Sequence, residues 1–106
     1  MKIAPQIDGL FSITDRTAIG AINHFKNIGL KVPEDIVVIG FSNWKISALI
    51  SSKLSSVEQN GFLMGNRVIE VFIKILENNG NINEIFTTTT IPTALCLRES
   101  SNKIKT

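Results

Sequence analysis

The chain has 106 residues, of which 43% are hydrophobic and 19% charged, a balance that excludes a disordered polymer and fits one domain. Eleven basic residues against nine acidic ones leave a net charge of +2, too sparse for the dense basic face of a nucleic-acid binder. One cysteine, Cys96, excludes an intrachain disulfide. Set in the apolar run TALCLRE, it reads as a buried small hydrophobe in a reducing compartment. No run approaches the ~18 apolar residues of a membrane span, and MKIAPQIDG lacks the apolar core of a secretory signal. The expected location is therefore cytoplasmic.

The first predicted strand is GLFSIT, residues 9–14, ending in Thr14-Asp15. The next stretch, DRTAIGAINHFKNIG, has helical periodicity: Ala18, Ile22 and Phe25 form one stripe, and Ile19 and Ile28 widen it. Asp15 is a candidate N-cap, and Gly29 stops the helix in a left-handed conformation that glycine adopts cheaply. Pro33 then blocks helix continuation in the return turn. IVVIGF, 36–41, is β-branched and lacks alternation, the pattern of a parallel strand buried on both faces. Strand, helix and strand make a βαβ unit, with a right-handed crossover expected.

Residues 43–53, NWKISALISSK, read as a short helix or turn, and LSSVEQ, 54–59, as a third short strand. The longest helix is GFLMGNRVIEVFIKILENNG. Its apolar positions (Phe62, Met64, Val68, Ile69, Val71, Phe72, Ile73, Ile75, Leu76) exceed one stripe, so it is expected to pack on two sides. Glu70 and Lys74 stand at the favourable i,i+4 spacing. Asn78-Asn79-Gly80-Asn81 ends the helix. IFTTTTIPTALCLRES reads as two short strands flanking Pro92.

Catalytic signatures are missing. There is no Gly-rich dinucleotide loop, no P-loop and no G-x-S-x-G elbow. His24 lacks a metal partner at i±3 or i±4 and reads as a surface residue. Asp15 after a strand is compatible with a phosphoacceptor, but only Asp8 is available nearby to help hold magnesium. The expectation is a non-enzyme with no metal and no cofactor; a small flavodoxin-like enzyme is the rival. Open parallel sheets bind ligands beyond the carboxyl ends of their strands. That places Thr14-Asp15 and Ser42-Asn43-Trp44 at the rim, a set suited to a small polyhydroxylated ligand. Each also has a plain structural reading: Asp15 as cap, Ser42 and Asn43 as turn residues, Trp44 as packing, Gln59 as a backbone partner.

The run DGLFSITDRTAIGAINHFKNIGLKVPEDIVVIGFSN, residues 8–43, resembles the effector-binding region of the LacI/GalR family of bacterial transcription regulators. Leu54-Ser55-Ser56-Val57-Glu58-Gln59, Met64-Gly65 and the closing L-x-x-R-x-S pattern at residues 95–100 continue the resemblance in order and with matching spacing. It implies an α/β, parallel-sheet lobe of the type I periplasmic-binding-protein kind, incomplete, with helices on both faces. It further implies that residues 9 to about 57 belong to the second lobe, the helix at about 60–80 to the first, and residues 85–100 to closing strands. The chain matches only the C-terminal part of such a regulator, so operator DNA is expected to be met through a domain outside it. The implied effector, a sugar or related polyol, faces Thr14, Asp15, Ser42, Asn43 and Gln59. A homodimer interface is implied at Ile19, Ile22, Trp44 and Ile50. Most family members carry an aspartate where this chain has Ser42, so a charge-assisted bond gives way to a neutral one of about half the strength. A periplasmic sugar-binding protein for transport is the alternative reading.

Overall fold

A computed structural model describes residues 7–78 and 88–103. The elements run β1 (Gly9–Phe11), α1 (Asp15–Asn27), β2 (Val37–Ile39), a 3-10 helix (Lys45–Ala48), β3 (Ser56–Glu58), α2 (Gly61–Glu77), β4 (Ala94–Cys96) and a second 3-10 helix (Glu99–Ser101). The chain divides into two compact units, Met1–Glu58 with Ala94–Thr106, and Gln59–Thr93.

The first unit is built on the expected βαβ arrangement. β1 and β2 pair in parallel, with Gly9 opposite Val37 and Phe11 opposite Ile39. β3 lies along the other side of β2 through a parallel bridge from Ile39 to Ser55, and Gly40 N–H donates to Ser55 C=O at 2.8 Å. β4 then pairs antiparallel to β3, with Val57 opposite Leu95. The order across the unit is thus β1-β2-β3-β4, with β2 central. Its residues Val37 and Ile39 are only half-buried, whereas Ile36 and Val38 are fully enclosed. Burial is complete on the face that α1 covers.

The α1 stripe supplies half of that core: Ala18, Ile22 and Phe25 pack with Ile36, Val38 and Leu54. Ile28, expected to widen the stripe, is exposed. The helix closes in a Schellman motif. Leu30 N–H donates to Phe25 C=O at 2.8 Å and Gly29 N–H to Lys26 C=O at 3.2 Å, with Gly29 at φ 85°. Leu30 also packs on the core that contains Phe25, the apolar contact that accompanies this motif.

Hydroxyls bolt the C-terminal segment to the sheet. Ser100, completely buried, donates to Val38 C=O at 2.6 Å and accepts from Ser55 N–H at 2.8 Å. The Ser55 hydroxyl accepts from Arg98 N–H at 2.7 Å and shares a hydrogen bond with Ser101 at 2.6 Å. Among the described residues no buried side-chain polar atom lacks a partner, as a packed interior requires.

In the second unit, α2 starts at Asn60, whose Oδ1 accepts from Leu63 N–H at 3.2 Å. No residue of α2 is buried, and Phe62 is 82% exposed. The two-sided packing expected of this helix is not met among the described residues. The surface ion pair also differs from expectation: Arg67 meets Glu70 at 3.1 Å, in place of Glu70 with Lys74. An exposed pair of this kind contributes under about 1 kcal/mol. Only one strand flanks Pro92, β4 on its C-terminal side; residues 88–91 form none, and 79–87 lie outside the described residues.

Bare apolar surface of this extent drives association. Sedimentation velocity is expected to show association rising with concentration. Serine at Phe62, Val68 and Phe72 should abolish it without lowering the melting temperature of the first unit. A separate substitution, Phe25→Ala, should cost the core about 3–5 kcal/mol in chemical unfolding.

Candidate functional site

The two strand ends that precede the rim are adjacent because β1 and β2 are neighbours. Ser12 N–H donates to Ile39 C=O at 2.8 Å and Asp15 N–H to Phe41 C=O at 3.0 Å. This brings Thr14, Asp15, Arg16, Ser42 and Trp44 around one open cleft of about 240 Å³. Thr14 is the N-cap of α1: its backbone is extended (φ −142°, ψ 155°) and its hydroxyl accepts from Thr17 N–H at 3.2 Å. Asp15 is therefore the first helical residue and not the cap.

Asp15 does something else. Its side chain is buried, 1% exposed, and its carboxylate is held from three sides. Oδ2 accepts from Trp44 N–H and from the Ser47 hydroxyl, both at 2.6 Å, and Oδ1 accepts from the Ser56 hydroxyl at 2.5 Å. A buried charge is tolerable only when it is so satisfied. The position suits a carboxylate for a further reason, since the positive end of the α1 dipole lies there. These bonds pin the 42–47 loop and β3 to the start of α1. The oxygens face protein donors, which leaves Asp15 as a shaper of the cleft more than a part of its open surface.

Gly40 completes the packing. A Cβ there would stand 3.0 Å from Leu54 Cδ2 and would run into Asp15 Oδ1. The carboxylate sits where it does because residue 40 has no side chain.

Ser42 and Asn43 both have positive φ, 91° and 50°. Asparagine tolerates the left-handed region; serine does so at some cost. Ser42 is exposed at the cleft, with its hydroxyl donating to the carbonyl of Phe41. Asn43 is fully engaged elsewhere. Its N–H donates to Ser56 Oγ at 2.9 Å, its Nδ2 to Glu58 Oε2 at 2.6 Å, and its Oδ1 accepts from Arg98 Nη2 at 2.8 Å. Arg98 also donates to Leu54 C=O at 2.6 Å.

Gln59 is half-buried and opens the second unit. Of the residues expected at a dimer face, Ile22 belongs to the core, Ile19 and Ile50 pack against it while half-buried, and Trp44 is exposed. Ile22 thus has little surface left for a partner. Cys96, expected to be buried, is half-buried and faces the Asn43 amide at 3.8 Å; His24 is exposed as expected. Arg16 and Ser47 carry no signal in the sequence. Ser56 and Glu58 lie in the L-S-S-V-E-Q motif and Arg98 in the closing one, yet none of the three is among the residues the sequence places at the site. No cluster of metal-ligating side chains occurs among the described residues.

A parallel βαβ unit with a polar rim at its strand ends defines a type I periplasmic-binding-protein-like lobe, incomplete in this chain. The family model for the periplasmic binding protein-like domain matches residues 1–101, and the chain belongs to that family. Its relatives are LacI-type regulators. It is 38% identical over 71 residues to the HTH-type transcriptional regulator RegA of Clostridium acetobutylicum, a match covering 67% of this chain and 21% of RegA. A LacI family transcriptional regulator from Arthrobacter sp. FB24, crystallised with lactose, superposes with a TM-score of 0.81 at 28% identity, covering 92% of this chain and 36% of that one. One from Enterococcus faecalis V583, with bound ribose, gives 0.81 at 25% identity over 94% and 36%. The chain thus spans about a fifth of the curated relative and about a third of the solved ones.

The fit around Asp15 sets a sharp contrast between two glycines. Gly40→Ala should destabilise the chain by more than about 2 kcal/mol, because the new methyl displaces a satisfied buried charge. Gly20→Ala, on α1 with open space around it, should stabilise by about 0.5–1 kcal/mol. Urea unfolding of both variants is the check.

Proposed function

We propose that this chain is the effector-sensing and dimerisation portion of a LacI/GalR-type transcriptional regulator, acting in the cytoplasm and without catalytic activity. The effector is a sugar or related polyol. Thr14 and Ser42 meet its hydroxyls from one side, and Gln59 contributes at the point where the chain passes to its next unit. Asp15 and Asn43 belong to the same site as the groups that hold its walls. The observation that carries this reading is the cleft that brings Thr14 and Ser42 together at adjacent strand ends, in a fold shared with sugar-bound regulators.

In the same reading the first unit is the second lobe of the sensor and α2 part of the first. The bare face of α2 awaits residues of the longer polypeptide. Exposed Trp44 and half-buried Ile19 and Ile50 belong to the homodimer face. Operator DNA is contacted through a separate domain, and effector binding shifts DNA affinity by a reciprocal coupling of about 1–3 kcal/mol. The relatives favour a regulator over a transport protein, since each is named as a regulator.

The test is an NMR titration of the whole chain with ribose and with lactose at millimolar concentration. Amide shifts should move at Thr14 and Ser42 first. Thr14→Ala and Ser42→Ala should each weaken binding about three- to tenfold, the worth of one neutral hydrogen bond. Failure of both sugars to perturb the rim would refute the sugar reading. Salt-sensitive, sequence-specific binding of operator DNA by these residues alone would refute the division of labour.

A further inference from the structure

A polar chain runs through the first unit from the start of α1 to the segment after β4. Asp15 accepts from Ser56, and Ser56 accepts from Asn43 N–H. The Asn43 side chain then bridges Glu58 and Arg98. The ends of this chain have a topological meaning. Glu58 is the last residue before the polypeptide leaves the unit, and Ala94, opposite Glu58 in the β3–β4 ladder, is the first after it returns. Arg98 lies four residues further on. Asn43 adjoins Ser42 at the cleft, in a left-handed conformation that directs its amide to both partners.

We propose that Asn43 is a positioning residue, a clamp that ties the ligand rim at Ser42 to the two stretches where the chain exits and re-enters this unit. Its amide is the group that suits the place. It donates to a carboxylate and accepts from a guanidinium at once, which neither an ionised carboxylate nor an ammonium can do. Each bond involves an ionised partner and is half-buried, so both are stronger than neutral bonds. Movement of Ser42 on ligand binding is therefore passed to Glu58 and on to Gln59. The coupling to ligand rests on the sugar-binding reading of the rim; the clamp itself does not.

The experiment is a cycle on the whole chain. Asn43→Asp sets two carboxylates against each other and should lower the thermal midpoint. Glu58→Gln alone should have a small effect. The double variant restores donor and acceptor with their roles exchanged, and adds an ion pair to Arg98, so the midpoint should return most of the way. The expected non-additivity is at least tenfold in the unfolding constant. Additive effects would overturn the clamp, whether or not any sugar binds. Coupling is read by the ribose and lactose titrations in Asn43→Ala. Perturbation should persist at Thr14 and be lost at Gln59. Equal loss at both residues would make Asn43 a ligand contact and overturn its positioning role. If neither sugar perturbs wild type, the ligand coupling falls with the sugar reading, and the cycle alone decides the clamp.

Discussion

The first unit depends on one buried carboxylate. Asp15 lies at the start of α1, yet its partners come from the loop after β2 and from β3. Burying an ion without such partners costs several kcal/mol, so the fold must deliver all three donors together. In return the arrangement has little freedom. Breaking any bond leaves charge unsatisfied, which favours one register of the loop over its neighbours. The cleft inherits that register, because Thr14 and Ser42 flank the residues so fixed.

The polar interior is unusual in being mostly hydroxyl. Ser47, Ser55, Ser56 and Ser100 are all completely buried, alongside six enclosed apolar side chains among the described residues. Serine carries little side-chain entropy and fits where backbones approach closely. Each hydroxyl here bonds to a backbone or carboxylate group. The unit is held by apolar packing on the α1 face of the sheet and by short hydrogen bonds around β3 and the C-terminal segment.

Much of the framework was legible from local pattern. The Ala18, Ile22, Phe25 stripe, the β-branched run at 36–39 and the stop at Gly29 each follow from a few adjacent residues, and each recurs in the structure. The site was legible only in outline. Strand-end logic located Thr14 and Ser42 on a common rim. It could not show which of these groups also bond to protein, because that depends on partners 13 to 55 residues further along the chain. The sequence presents Asp15 and Asn43 as rim residues, and their bonds to protein partners appear only in three dimensions. The cap went to Asp15 in place of Thr14 because both residue types cap well and only φ distinguishes them. The strand expected before Pro92 rests on threonine content, which speaks for β-branching but not for a pairing partner; residues 88–91 form no strand, and 85–87 lie outside the described residues.

Ser100 follows Val38 by 62 residues and Ser55 by 45, and reaches back to both. A chain made on the ribosome emerges from its N-terminus, so the strands are in solution well before the residue that locks them together. Until then β2 and β3 have only each other, β1 and α1. The nascent unit stays unlocked while the intervening greasy helix is synthesised. The order of synthesis thus leaves the last bolt of the sheet to a single late hydroxyl.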